Sequence, residues 1–227
     1  MNTEGPAPLS GRRAQAARND ERILDAARAV FVADPKAPIS AVAERAGVGI
    51  SALYRRYPGK EELLRQLCAD GLRRYIAAAE AALADEDDSW SAFARFMGRI
   101  VDEDTHSLTL RLAGTFTPTE EMYHDAERAR ELNEQLFART RASGAIRPDL
   151  TVNDLSFLFE QLASVRTDDE ERTRELRHRY LGLHLDALRT QSPGQLAGPA
   201  PSWEELRGRW RRSDRGARRS VRYDGNG

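Results

Sequence analysis

The residue types best suited to chemistry in this 227-residue chain lie between Ile39 and Leu64, in the stretch ISAVAERAGVGISALYRRYPGKEELL. Ser51, Ala52 and Arg55 bring together a hydroxyl, a methyl and a guanidinium, flanked by Tyr54 and Arg56. No nucleophile stands beside a base in this set, so its chemistry is recognition rather than catalysis. A guanidinium can meet guanine O6 and N7 with two donors, and a methyl can touch a thymine methyl. Phenolic and cationic groups suit phosphate oxygens. Lys60 adds a cation at the start of the next helix, where unpaired N–H groups and the helix dipole already favour phosphate.

Two short helices must position these groups. Ala43, Ala46, Val48 and Leu53 are the apolar residues that lock the pair together, and Gly47 stands where the first helix stops and the chain turns. Glycine fills that position because it tolerates positive φ. This is the spacing of a helix-turn-helix, whose second helix enters the DNA major groove. At about 100° per residue, with Leu53 and Tyr57 inward, Arg55 falls near the centre of the outward face. Ser51 and Ala52 lie beside it, Tyr54 and Arg56 on the flanks, and Ile50 at the edge of the core. Pro58 ends the helix. The competing reading is a solvated helix pair in an ordinary helical protein.

The detailed string favours the first reading. AGVGISALYRRYPGKEELL resembles the TetR-type transcriptional regulator family, through Ala46, Gly47, Val48, Leu53, Tyr54, Lys60, Glu61 and Leu63. Tyr57 replaces the usual phenylalanine. The resemblance implies base-facing roles for Gly49, Ile50, Ser51, Ala52 and Arg55, and phosphate-facing roles for Tyr54, Arg56 and Lys60. Pro38 stands where the family usually has a capping, phosphate-touching threonine, and Ser40 is the candidate substitute. Gly59 replaces the usual Ser or Asp cap of the following helix.

Composition is consistent with a regulator. Hydrophobic residues make up 40% of the chain, with no apolar run approaching a membrane span and no apolar leader at the start. The single cysteine, Cys68, excludes an internal disulfide framework and suits a reducing cytoplasm. Its neighbours Leu64, Leu67 and Leu72 suggest a buried thiol. The net charge of −1 hides a polarity: residues 1–63 carry +2, residues 189–227 carry +5, and the middle carries −8. A weakly basic head on an acidic body fits DNA contact confined to one end.

Helical signals run throughout, and the expected fold class is all-α. Four segments are expected: a flexible arm over 1–18, a three-helix DNA-binding domain over 19–64, a helical bundle for ligand binding and dimerisation over 65–191, and a linker, short helix and basic tail over 192–227. Asn19 is the expected N-cap of helix 1. A long helix is expected over Lys60–Ala84, then another carrying Trp90, Phe93, Met97 and Ile100. Thr117-Pro118-Thr119-Glu120 reads as a capping box with proline at the first helical position. Ser143-Gly144 should end that helix, and Thr151 and Thr167 should cap two more. Beyond Gln191 a linker composition leads to a short helix over Trp203–Arg212 and an arginine-rich tail.

The last two main helices are apolar over more than one face, so they must be buried on several sides. In TetR-like proteins the corresponding helices pair with their twins, which implies a homodimer joined through Phe157, Leu158, Leu176, Tyr180, Leu183 and Ala187. The aromatic and methionine residues Trp90, Phe93, Phe96, Met97, Phe116, Met122, Phe137 and Phe157 suggest an apolar pocket for a small-molecule effector, against the plainer reading that they fill the core. No catalytic residue, metal site or cofactor is expected. The four histidines form no i, i+4 metal pair, and no hydrolase or phosphate-loop motif appears. The expected function is a cytoplasmic repressor that binds a palindromic operator as a dimer and is released by an effector. Its partners are double-stranded DNA, that effector and a second copy of the chain, with no membrane.

Overall fold

In the computed structural model the described residues are 11–112, 114–189, 194 and 196–208. Among them the chain forms helices and no strand, and it divides into two compact units between Leu67 and Cys68.

The first unit holds α1 (Gly11–Ala33), α2 (Ile39–Ala46), α3 (Ile50–Arg56) and the first turns of α4 (Lys60–Ala84). Ile23, Ala27, Phe31, Val42, Ala43, Leu53, Tyr57 and Leu63 form its buried core. Helix α1 starts earlier than the expected Asn19 cap. Residues 12–18, RRAQAAR, hold good helix formers and neither Gly nor Pro, so nothing stops the helix from extending back to Gly11. The expected flexible arm is therefore helical over 11–18, and its remainder lies outside the described residues. Cys68 is half-buried rather than fully enclosed.

The second unit contains the rest of α4, then α5 (Ser89–Asp102), α6 (Thr105–Leu112), α7 (Glu120–Ala142), α8 (Val152–Ser164), α9 (Glu170–Leu188) and α10 (Trp203–Gly208). Its core joins Phe93, Phe96, Met97 and Ile100 of α5 to Leu132, Leu136 and Phe137 of α7, Leu155, Phe159 and Leu162 of α8, and Leu181 of α9. Asp88 caps α5 by accepting the Ser91 N–H at 3.0 Å. Two expected starts shift by two residues. The α7 cap is Thr119, which accepts from the Met122 N–H, so Pro118 lies outside the helix. The α9 cap is Asp169, which accepts from Arg172 N–H, while the Thr167 hydroxyl donates to the Asp169 carbonyl. Thr151 does start α8, with Asp154 accepting from its backbone N–H. Gly144, at φ 73°, follows the end of α7 at Ser143.

The segment after α9 is tied down on this unit. Arg147 donates to the Gly194 carbonyl, the Leu196 N–H to Asp149, and Asn153 to the Pro201 carbonyl. Helix α10 begins at Trp203 as expected, and the Arg130 guanidinium lies 5.8 Å from that ring. The tail, including Arg212, lies outside the described residues.

A polar knot links α6, α8 and α9. Arg177 is 6% exposed. Its guanidinium pairs with Asp104 at 2.7 Å and donates to the Ala163 and Val165 carbonyls at 3.0 and 3.1 Å. Those carbonyls end α8, where the helix dipole welcomes a cation. Asp104 sits at φ 49°, a left-handed conformation uncommon outside glycine, and also accepts from the Ser107 hydroxyl.

Candidate nucleic-acid interface

The turn between α2 and α3 is built on Gly47. Its φ of 63° is left-handed, and its N–H bonds the Glu44 carbonyl. Arg22 of α1 donates to the Ala46 carbonyl at 2.6 Å, satisfying the end of α2. A Cβ at Gly47 would stand 3.1 Å from that guanidinium, so glycine serves both the conformation and the close approach. The N-cap of α2 is Pro38 and makes no side-chain cap bond. Ser40 lies exposed in the first turn and does not replace the missing cap.

Helix α3 has one inward side, carried by Leu53 and the following Tyr57, both buried. Gly49, Ile50, Ser51, Ala52, Tyr54, Arg55 and Arg56 are all exposed. Ile50, ambiguous by periodicity, is thus outside the core. It opens α3, where the helix has only begun to face its neighbours. Gly49 precedes the first turn as N-cap without a side chain to occupy the space.

The three cations differ in their engagement. Arg55 has no hydrogen bond or ion pair among the described residues, so its donors are available. Arg56 is held by Asp20 of α1: its Nε lies 2.8 and 3.0 Å from the two carboxylate oxygens, and its Nη2 lies 2.7 Å from Oδ2. Those hydrogen bonds raise the guanidinium pKa, partly offset by desolvation. Lys60 is turned inward. Its Nζ donates to the Pro35 and Ala37 carbonyls at 2.8 and 2.7 Å and lies 4.9 Å from the Phe31 ring centroid. Its ammonium therefore ties the α1–α2 connection to α4 instead of standing open at the helix start.

Sequence reasoning missed Asp20 and Arg22. A signal for Asp20 existed: at about 100° per residue it lies within about 20° of Ala27, on the inward side of α1. A carboxylate on that side needs a cation.

In the second unit, Tyr180 and Leu183 of α9 are 42% and 59% exposed, and Ala187 is exposed with them. Leu176 is half-buried, as are Phe157 and Leu158 of α8. The 4-3-4 spacing of 176, 180, 183 and 187 gathers these residues within an arc of about 60°. Beside them an open groove of about 480 Å³ is lined by Gln161, Val165, Leu176, Tyr180 and His184 among others.

The residues expected to form an effector pocket behave mostly as core. Phe93, Phe96, Met97, Met122 and Phe137 are buried, and Trp90, Phe116 and Phe157 are half-buried. Phe96 and Met97 are adjacent and face different directions, yet both are buried, because α5 has packed neighbours on more than one side. A small, partly open space of about 10 Å³ lies elsewhere, against His106, Phe159, Asp104 and Arg177. That is the limit for one water. The His106 ring stacks 4.6 Å from Phe159, and its Nδ1 is buried with no hydrogen-bond partner among the described residues.

Burial lowers the His106 pKa from 6.5 to about 4. The folded chain therefore keeps this ring neutral over a range where the unfolded chain protonates it. The contribution of this ring to stability is complete above about pH 6.5 and is lost as the pH drops toward 4. Urea midpoints measured between pH 7 and 5 should decline, and His106→Phe should flatten that decline. An unchanged slope in the variant would show that the ring is solvated.

Among the described residues no helix is long and apolar enough to cross a membrane, and no group of His, Cys, Asp and Glu could hold a metal ion.

Residues 23–67 match the family described as bacterial regulatory proteins, tetR family. Residues 88–190 match the C-terminal domain of SbtR-like transcriptional regulators. A TetR transcription regulatory protein from Mycobacterium vanbaalenii is 28% identical, with a TM-score of 0.55, and the match covers 78% of this chain and 99% of that one. A TetR transcriptional regulator from Streptomyces coelicolor is 24% identical, with a TM-score of 0.55 over 76% of this chain and 99% of that one. The TetR-like regulator LfrR from Mycobacterium smegmatis, solved in complex with proflavine, is 22% identical, with a TM-score of 0.53 over 74% of this chain and 96% of that one. No protein of curated function matches the chain in sequence.

Proposed function

Because the chain belongs to the tetR family of bacterial regulatory proteins, DNA-binding regulators of transcription, we propose that it is a repressor that grips a palindromic operator as a dimer and lets go when a small-molecule effector binds. The observation that carries this reading is the outward face of α3, exposed from Gly49 to Arg56 over a buried Leu53 and Tyr57, with Arg55 unpaired at its centre. The DNA-binding domain is residues 19–64, with Ser51, Ala52 and Arg55 toward bases and Tyr54 toward phosphate. Ser40, Gly49 and Ile50 complete the contact surface. Arg56 and Lys60 reach phosphate only by leaving the partners they hold.

Residues 65–191 bind the effector and form the dimer, and the chain works in the cytoplasm with the chromosome. Two copies meet through Phe157, Leu158, Leu176, Tyr180, Leu183 and Ala187, the apolar side that one copy leaves open. Their α3 helices then address half-sites about 34–36 Å apart or somewhat more. The effector enters among Trp90, Phe93, Phe96, Met97, Phe116, Met122, Phe137 and Phe157. That core must open to admit it, since Phe93, Phe96, Met97 and Phe137 are buried against their neighbours in it. Proflavine in LfrR is a precedent for such a ligand in this fold. Coupling is reciprocal, so an effector that releases DNA binds the DNA complex more weakly by the same factor.

The test is selection of bound fragments from the source genome, followed by titration of Arg55→Ala. The variant should lose about 1–3 kcal/mol on the selected operator and relax the preference at one base pair of each half-site. Equal losses on operator and random duplex would remove the base-reading role.

A further inference from the structure

We propose that Asp20 is a specificity-determining residue that withholds Arg56 from DNA of arbitrary sequence. The inference rests on the DNA-binding reading of α3. Arg56 is the neighbour of the unpaired Arg55, at the end of the exposed helix, and its side chain is 60% exposed. Were it unpaired, it would be a second guanidinium beside the base reader, attracted to any phosphate.

Such attraction carries no sequence information; it raises affinity for every duplex through counterion release. Asp20 prevents this in a particular way. Its carboxylate takes both Nε and Nη2 in a two-pronged pair across 36 residues of sequence, and the pair as a whole has no net charge. To reach a phosphate, Arg56 must leave Asp20, and the uncovered carboxylate then faces the same polyanion.

The restraint acts more strongly on random DNA than on the operator. On random DNA no base contact fixes the register, so the protein can shift until any unpaired cation meets a phosphate. On the operator, contacts from Ser51, Ala52 and Arg55 set the register, and Arg56 has no such latitude. Releasing Arg56 therefore strengthens random binding more than operator binding.

Fluorescence anisotropy titrations of the full chain between 50 and 200 mM salt test this, on a random duplex and on a duplex selected from a randomised pool. The variants are Asp20→Asn, Arg56→Ala, the double variant, and Glu21→Gln, which removes the same charge from an exposed position one residue along. Asp20→Asn should steepen the logarithmic salt slope on the random duplex by about 0.9, the value for one added phosphate contact. It should also narrow the ratio of selected to random affinity. Neither effect should appear with Glu21→Gln, or when Asp20→Asn is added to Arg56→Ala. Circular dichroism of each variant confirms the fold, and Asp20→Ser repeats the test with a different side chain.

Weaker binding of Asp20→Asn to both duplexes would overturn the proposal, since the pair would then be presenting Arg56 to DNA. So would a steeper slope that persists without Arg56 or appears with Glu21→Gln, or the absence of any change. Failure of the DNA-binding reading has a different signature: no duplex emerges from the pool. A preferred duplex with unchanged slopes is the failure of the Asp20 proposal alone.

Discussion

Leu183→Asp should sediment as a folded monomer at concentrations where the parent chain is a dimer, and its operator affinity should fall by about 10²–10⁴-fold as the gain from joined heads is lost. The side chain is 59% exposed in the single chain, so a carboxylate there stays solvated and the monomer keeps its fold. In the proposed dimer the same carboxylate enters an apolar contact with Leu176, Tyr180 and Ala187, where an unpaired charge costs several kcal/mol. The monomer's circular dichroism and its binding of an isolated half-site should match the parent's. A variant that still sediments as a dimer would move the interface away from α9.

Arg177→Met should destabilise the second unit strongly. Removing one member of a buried ion pair costs about 3–5 kcal/mol, because the other member and the bonded carbonyls lose their partner. Here the loss uncovers Asp104 and the Ala163 and Val165 carbonyls together. Asp104 is partly solvated at 23% side-chain exposure, which favours the lower end of that range. About 3 kcal/mol corresponds to a drop in Tm of roughly 6–12 °C for a unit of this size. Arg177→Lys should recover only part of it, since one ammonium cannot reproduce a fork aimed at three groups. Thermal unfolding of both variants measures the difference. A drop below 2 °C for Arg177→Met would mean that water serves the knot as well as the guanidinium does.

What was legible in the sequence depended on periodicity. The outward face of α3 needs only the spacing of Leu53 and Tyr57, and the structure exposes the residues that this spacing turns outward. The long helix over Lys60–Ala84 and the end at Ser143-Gly144 were equally plain. Starts were harder where two capping residues stand two apart. Thr117 competes with Thr119 and Thr167 with Asp169, and which one caps is decided by the geometry of the preceding loop. Helix α6 was not anticipated: THSLTLRL is short, and its apolar residues also fit an extended run.

Ion pairs were the least legible. Asp20 and Arg56 are 36 positions apart, and Lys60 meets carbonyls 23 and 25 positions away. Such partners appear only once helices have packed. The expected pocket shows another ambiguity: an inward aromatic side chain looks the same in sequence whether it lines a ligand space or fills a core. Phe93 and Phe137 fill the core.

The inward turn of Lys60 has a consequence for handling the protein. The chain carries only two lysines, and Lys36 is exposed whereas Lys60 is half-buried with both carbonyl partners engaged. An amine-reactive dye at neutral pH should therefore attach at Lys36 and the terminal amine and pass over Lys60 while the fold holds. Labelling at Lys60 then becomes a chemical clock for local opening of α1, the connection to α2, and the start of α4, read by peptide mass without any engineered probe.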